Sequence, residues 1–158
     1  MCPKFLIAVS TAFFVLSPLT EVQASIDEPI GKDFVGDWRG KGRIIVTWSK
    51  QKQLSFVLQI DSLGNVRGII GNARIQDGKI RTNNIFYRLL GNRNYIIDAK
   101  LTNYIVESEK IRRESIRIFL NYENNLFVGG FHTSGSKIGG KEKMILSGTG
   151  IKLTKRSK

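Results

Sequence analysis

From residue 36 onward, apolar and polar positions alternate with a period of two almost throughout. Leu54, Phe56, Leu58 and Ile60 alternate with Ser55, Val57, Gln59 and Asp61. Tyr95, Ile97, Ala99 and Leu101 repeat the pattern against Ile96, Asp98, Lys100 and Thr102, as do Ile116, Ile118, Leu120 and Tyr122 against Arg117, Phe119 and Asn121. Successive side chains of a strand point to opposite faces, so this period predicts strands with one buried and one wetter face. Beyond the first 24 residues, no window of helical length sustains an i, i+3, i+4, i+7 apolar stripe.

Turn chemistry falls between these runs: Asp61-Ser62-Leu63-Gly64-Asn65, Asp77-Gly78, Gly91-Asn92-Arg93-Asn94, Glu123-Asn124-Asn125 and Ser134-Gly135-Ser136-Lys137-Ile138-Gly139-Gly140. Pairs such as Asp-Gly supply the positive φ angles of tight hairpins. Eight strands are expected, at about 36–50, 53–61, 65–76, 79–85, 94–102, 114–123, 125–134 and 141–155. Regular spacing with hairpin turns argues for an antiparallel meander that either closes or folds as two stacked sheets. Glycines favour closure. Gly40 with Gly42 and Gly148 with Gly150 sit two apart in the first and last strands, which become neighbours if the meander closes.

Phe34-Val35-Gly36-Asp37-Trp38 opens the first predicted strand, and here the chain resembles the lipocalin or calycin superfamily, whose first strand begins with G-x-W. The resemblance implies that Trp38 closes the barrel floor beneath a basic residue of the last strand. The candidates are Lys152, Lys155 and Arg156, and Lys152 shares strand parity with Gly148 and Gly150. Gly36, Trp38 and Lys152 are therefore the expected closure residues. Thr102-Asn103-Tyr104 is similar to part of a second lipocalin motif, but the Asp of that motif is absent. The family's disulfide and its helix after the last strand have no counterpart here, so no particular ligand is carried over. The fold expectation is all-β: a single antiparallel up-and-down eight-stranded barrel, lipocalin-like, preceded by a cleaved N-terminal signal helix.

The first residues carry a different pattern. A basic start at 1–4, an apolar and small run at 5–16, Pro18 and then Val22-Gln23-Ala24 read as a secretory signal peptide cleaved after Ala24. The run of twelve is shorter than the roughly 20 apolar residues of a bilayer span. The expected organisation is a signal peptide at 1–24, a leader at 25–35 and a barrel domain at 36–158, in a secreted or periplasmic protein. Cys2 leaves with the peptide, so burial alone must stabilise the mature domain.

Composition then sharpens the charge. The whole chain has 25 Lys plus Arg against 13 Asp plus Glu, a net +12, and cleavage removes one of each sign. Seven basic residues and one acid lie between 134 and 158. Such a surface recruits polyanions: lipopolysaccharide, anionic lipid, acidic polysaccharide, released nucleic acid or an acidic protein. No aromatics interleave with these bases as they do in single-strand nucleic-acid binders, and no specific nucleic-acid partner is expected. Gly135 to Lys141 fits G-x-x-x-x-G-K, but Glu142 stands where Ser or Thr should follow and the loop joins two strands. What remains is anion binding by Lys137, Lys141 and Lys143, or a solvated loop.

Catalytic chemistry has little material. His132 is the one histidine, so imidazole and thiolate metal sites and metal or organic cofactors are not expected. A triad of His132 with Ser134 or Ser136 lacks the strand-turn-helix context that exposes a nucleophile, and a hydrogen-bonded structural histidine is the expectation. The segment Ile85-Phe86-Tyr87-Arg88-Leu89-Leu90 reads equally as a lip over a barrel mouth or as core. Two functions follow. One is a non-enzymatic binding protein that holds a small lipophilic or amphipathic ligand among Trp48, Phe56, Leu58, Tyr95 and Tyr122. The other is a filled barrel acting as an interaction or inhibitor-like module, which binds polyanions or an acidic protein through its exterior. A membrane-spanning barrel is disfavoured, because Arg39, Lys41 and Arg43 occupy one whole face of the first strand.

Overall fold

The computed structural model describes residues 31–83, 94–102, 104–106, 111–137 and 143–156. The expected signal peptide, the segment 85–90 and Lys141 lie outside them. A 3₁₀ turn, Lys32–Phe34, leads into eight strands: β1 Gly36–Ile44, β2 Gln53–Ile60, β3 Val66–Ile70, β4 Ala73–Thr82, β5 Tyr95–Thr102, β6 Ile111–Glu123, β7 Leu126–Lys137 and β8 Lys143–Lys155. Each pairs antiparallel with the next, and β8 returns to β1 to close the barrel. The all-β reading holds, and the architecture is compatible with a lipocalin-like fold. Among the described residues, no helix is long and apolar enough to cross a membrane.

Local chemistry explains the connections. Asn124 and Asn125 both take positive φ, 50° and 62°, the type I′ geometry whose twist matches paired strands. In the β2–β3 loop, Asp61 accepts from the backbone N–H of Leu63 and Asn65 and from the Asn65 amide, so the carboxylate itself organises the turn. One expected turn moves. The β3–β4 hairpin lies at Gly71-Asn72, whereas Asp77-Gly78 falls inside β4 beside a register shift between Ile75 and Asp77. Gly71 takes φ 59°, and the turn leaves Ile70 and Ala73 both facing the core.

Besides the shift in β4, two bulges change which residues face inward. On β8, Gly150 has no register partner on β1 or β7, so Gly148 and Ile151 both point into the barrel and Gly150 points out. On β6 the register shifts between Arg113 and Ser115, which turns Arg113 toward the interior along with Ile116, Ile118 and Leu120. An extra residue in one strand of a pair reverses the alternation beyond it.

Candidate functional site

The floor of the barrel is aromatic. Phe34, carried by the 3₁₀ turn, packs edge-on against Tyr95 and Tyr122 at centroid separations of 4.7 and 4.9 Å. Trp38 lies above it, fully buried, 4.4 Å from the Phe127 ring, with its Nε1 donating to the Phe34 carbonyl at 2.8 Å. The basic partner is Lys155. Its Nζ stands 5.9 Å from the Trp38 ring centroid and donates to the Asp33 carbonyl, while its stem passes Gly36. Lys152, the expected partner, is exposed and sits opposite Lys41. The bulge at Gly150 is the reason, because it sends Lys152 outward and brings the odd-numbered residues after it inward.

The interior above this floor is filled. Leu54, Phe56, Leu58, Ile70, Ile97, Ile118, Leu120, Leu146, Ile151 and Leu153 are each 0–1% exposed. A void large enough for water would leave accessible surface on its lining, so none opens onto these side chains. The five expected lining residues do not surround one space. Phe56 and Leu58 are packed in the core, Tyr95 and Tyr122 belong to the floor, and Trp48 lies outside the barrel at 40% exposure. Trp48 would point inward if β1 ran to residue 50, but β1 ends at Ile44 and the chain turns at Thr47-Trp48.

At the opposite end, Arg113 is 1% exposed, with its guanidinium 5.4 Å from the Trp48 ring centroid. Ile105 and Val106 are buried there as well, and the Ile105 carbonyl accepts from Asn72 N–H. Thr133 faces inward on β7, and its buried Oγ1 has no hydrogen-bond partner. Arg113 escaped the sequence reading because parity counted back from Ile116 points it at solvent, and nothing in the sequence marks the bulge.

The outer surface divides by charge. Across β4, β5 and β6 three cations are paired: Asp98 bridges Arg81 at 3.0 Å and Arg117, and Asp77 faces Lys100. Burial pushes the Asp98 carboxyl up, but the hydrogen bonds from Arg117 and Arg81 outweigh it and hold the group below its ordinary value. His132 points outward on β7 with its ring tilted on Phe119 at 5.0 Å, and it makes no hydrogen bond among the described residues. Burial first, and then Arg117, lower its pKa, while Asp98 acts in the opposite sense. Ser134 is hydrogen-bonded to Ser115 rather than to His132, and the side chain of Ser136 lies outside the described residues.

The strands β8, β1, β2 and β3 behave differently. Arg39, Lys41 and Arg43 line the outer face of β1, Lys152 lies beside Lys41 on β8, and Arg67 lies outward on β3. Asp37 is the one carboxylate in these four strands. Arg39, Lys41, Arg43 and Lys152 form no ion pair among the described residues. Register sets Arg39 opposite Val57, Val57 opposite Ile69 and Ile69 opposite Arg74, which makes an apolar pair with an arginine at each end. Val57 and Ile69 are 40% and 44% exposed. Of the expected lysine cluster, Lys141 and the side chains of Lys137 and Lys143 lie outside the described residues. No group of three or more metal-ligating side chains occurs among the described residues. No family model, curated protein or solved structure matches the chain.

Proposed function

We propose that the protein is an exported, non-enzymatic barrel of lipocalin-like type that docks through its β8–β1–β2–β3 face onto phosphate-bearing amphiphiles, such as lipopolysaccharide or anionic lipid. The observation that carries this reading is the charge division of the exterior: among the described residues Arg39, Lys41, Arg43 and Lys152 form no ion pair, whereas Arg81, Lys100 and Arg117 on the other side are bridged to carboxylates. A patch of unmatched cations attracts an anionic surface at about 1 kcal/mol for each Lys or Arg brought near it. Val57 and Ile69 between two arginines favour an amphiphile over a plain polysaccharide, which offers nothing apolar to cover them. The filled interior supports an exterior site over an enclosed ligand. The signal-peptide pattern at 1–24 supports a periplasmic or secreted location, where such surfaces are met.

Flotation with vesicles of pure phosphatidylcholine and of phosphatidylcholine with one-third phosphatidylglycerol tests the proposal. Binding to the anionic vesicles alone, declining steeply with salt, is expected. Equal partition to both, or to neither, overturns it.

A second reading rests on a different observation. The orphan Oγ1 of Thr133 and the buried Arg113 give the upper end of the barrel a polar interior, as an amphipathic ligand with an acidic head requires. Native mass spectrometry of protein recovered from its own cell envelope tests this reading: bound mass supports it and bare protein contradicts it.

A further inference from the structure

The bulge at Gly150 does more than reverse the parity of β8. Between the register pairs Lys41–Lys152 and Arg43–Thr149, β8 spends one residue more than β1. The extra residue, Gly150, takes φ 65°, is exposed, and has open space where a Cβ would stand. On the other side of β1, Gln53 lies opposite Arg43, and Lys52 is anchored by donation from its Nζ to the Ser49 carbonyl at 2.7 Å. A surface depression of about 230 Å³ results, lined by Lys41, Gly42, Arg43, Lys52, Gln53 and Gly150. Three cations and a carboxamide border it, with no carboxylate in the lining.

We infer that this notch seats a single phosphate or sulfate group. A strand without the bulge would fill the position with the next outward side chain. The left-handed Gly150 removes that side chain at the point where Lys41 and Arg43 project from the neighbouring strand. Lys41 and Lys52 supply ammonium donors, and Arg43 supplies a planar fork suited to two oxygens of one tetrahedral anion. Lys52 spends one N–H on Ser49 and keeps two for the anion. This inference rests on the proposed docking face and assigns one position on it to the headgroup phosphate.

The test is an amide-resolved NMR titration of the mature chain at low ionic strength with sodium sulfate, with sodium chloride as control, followed by vesicle flotation. Saturable sulfate shifts centred on Gly150, Arg43 and Gln53 are expected. Gly150→Asn tolerates the left-handed conformation and puts a side chain into the notch, so it should remove those shifts and weaken anionic-vesicle binding at least tenfold. Arg43→Gln, at an exposed position, should do the same and serves if the glycine variant folds poorly. Shifts spread evenly over the face, or unaltered vesicle binding by both folded variants, overturn the notch while leaving the docking face intact. Failure of the wild-type protein to bind anionic vesicles at all overturns the docking face itself.

Discussion

Trp38 shows how much one side chain settles in a barrel of this size. It is fully buried, donates to the Phe34 carbonyl and packs against the tilted Phe127 ring, so Trp38→Ala should cost about 3–5 kcal/mol in denaturant unfolding. Lys155→Met removes a more exposed cation and should cost about 0.5–1 kcal/mol. Equal losses for the two variants would contradict this hierarchy. The tryptophan was legible because Gly-x-Trp at a strand start is a local pattern. Its cation was not, because the choice between Lys152 and Lys155 depends on a bulge several residues away. His132 has a pH signature. Its folded pKa lies below the ordinary 6.5, so as pH falls through 6.5 the unfolded chain takes up the proton first and stability declines. Thermal midpoints measured from pH 7.5 to 5 should fall for the wild type and change less for His132→Gln. The carboxylate Asp98 contributes its own loss only near and below its ordinary value of 3.8. An identical decline in both proteins would remove His132 from the account.

At the level of elements, strand number and antiparallel order follow from alternation and the turn chemistry between the runs. Leu54 to Ile60 and Ile116 to Tyr122 fix β2 and β6 with their inward faces, and the paired asparagines fix the β6–β7 turn. The strand ends were less legible. Asp77-Gly78 is the expected turn and 65–76 one strand, whereas the hairpin lies at Gly71-Asn72, where it leaves both Ile70 and Ala73 packed inward. A methyl group at Gly71 would stand 2.2 Å from the Ile105 carbonyl oxygen and 2.7 Å from Leu54, at a positive φ. Gly71→Ala should therefore destabilise by more than the roughly 1–2 kcal/mol of the left-handed conformation alone. Hydrogen exchange should also show that it loosens Asn72, whose N–H is held by Ile105. A loss below about 0.5 kcal/mol, the range of ordinary surface substitutions, would place the turn elsewhere. Bulges leave no mark in an alternating pattern, since one extra residue looks like ordinary sequence until both neighbouring strands are present. That is why Arg113, Lys152 and the Gly150 notch emerge only from the register.

For the whole molecule, the net charge of +12 is less informative than its arrangement. Sequence alone drew attention to the last 25 residues, where bases crowd together in the chain. Among the described residues, the cations that form no ion pair join β1 and β8, the first strand and the last, with Arg67 of β3 beside them. On the β4–β6 side Arg81, Arg117 and Lys100 are held in bridges to Asp98 and Asp77. The interior weighs in the same direction: the packed side chains of Phe56, Leu58, Ile97 and Ile118 favour the proposed exterior site. The most direct measurement compares the wild type with the Arg39→Gln, Lys41→Gln, Arg43→Gln triple variant in flotation with anionic vesicles at low salt. At about 1 kcal/mol per cation, the variant should bind on the order of a hundredfold more weakly, with unchanged thermal stability because all three side chains are exposed. Undiminished binding by the folded triple variant would contradict the claim that this face is the binding surface.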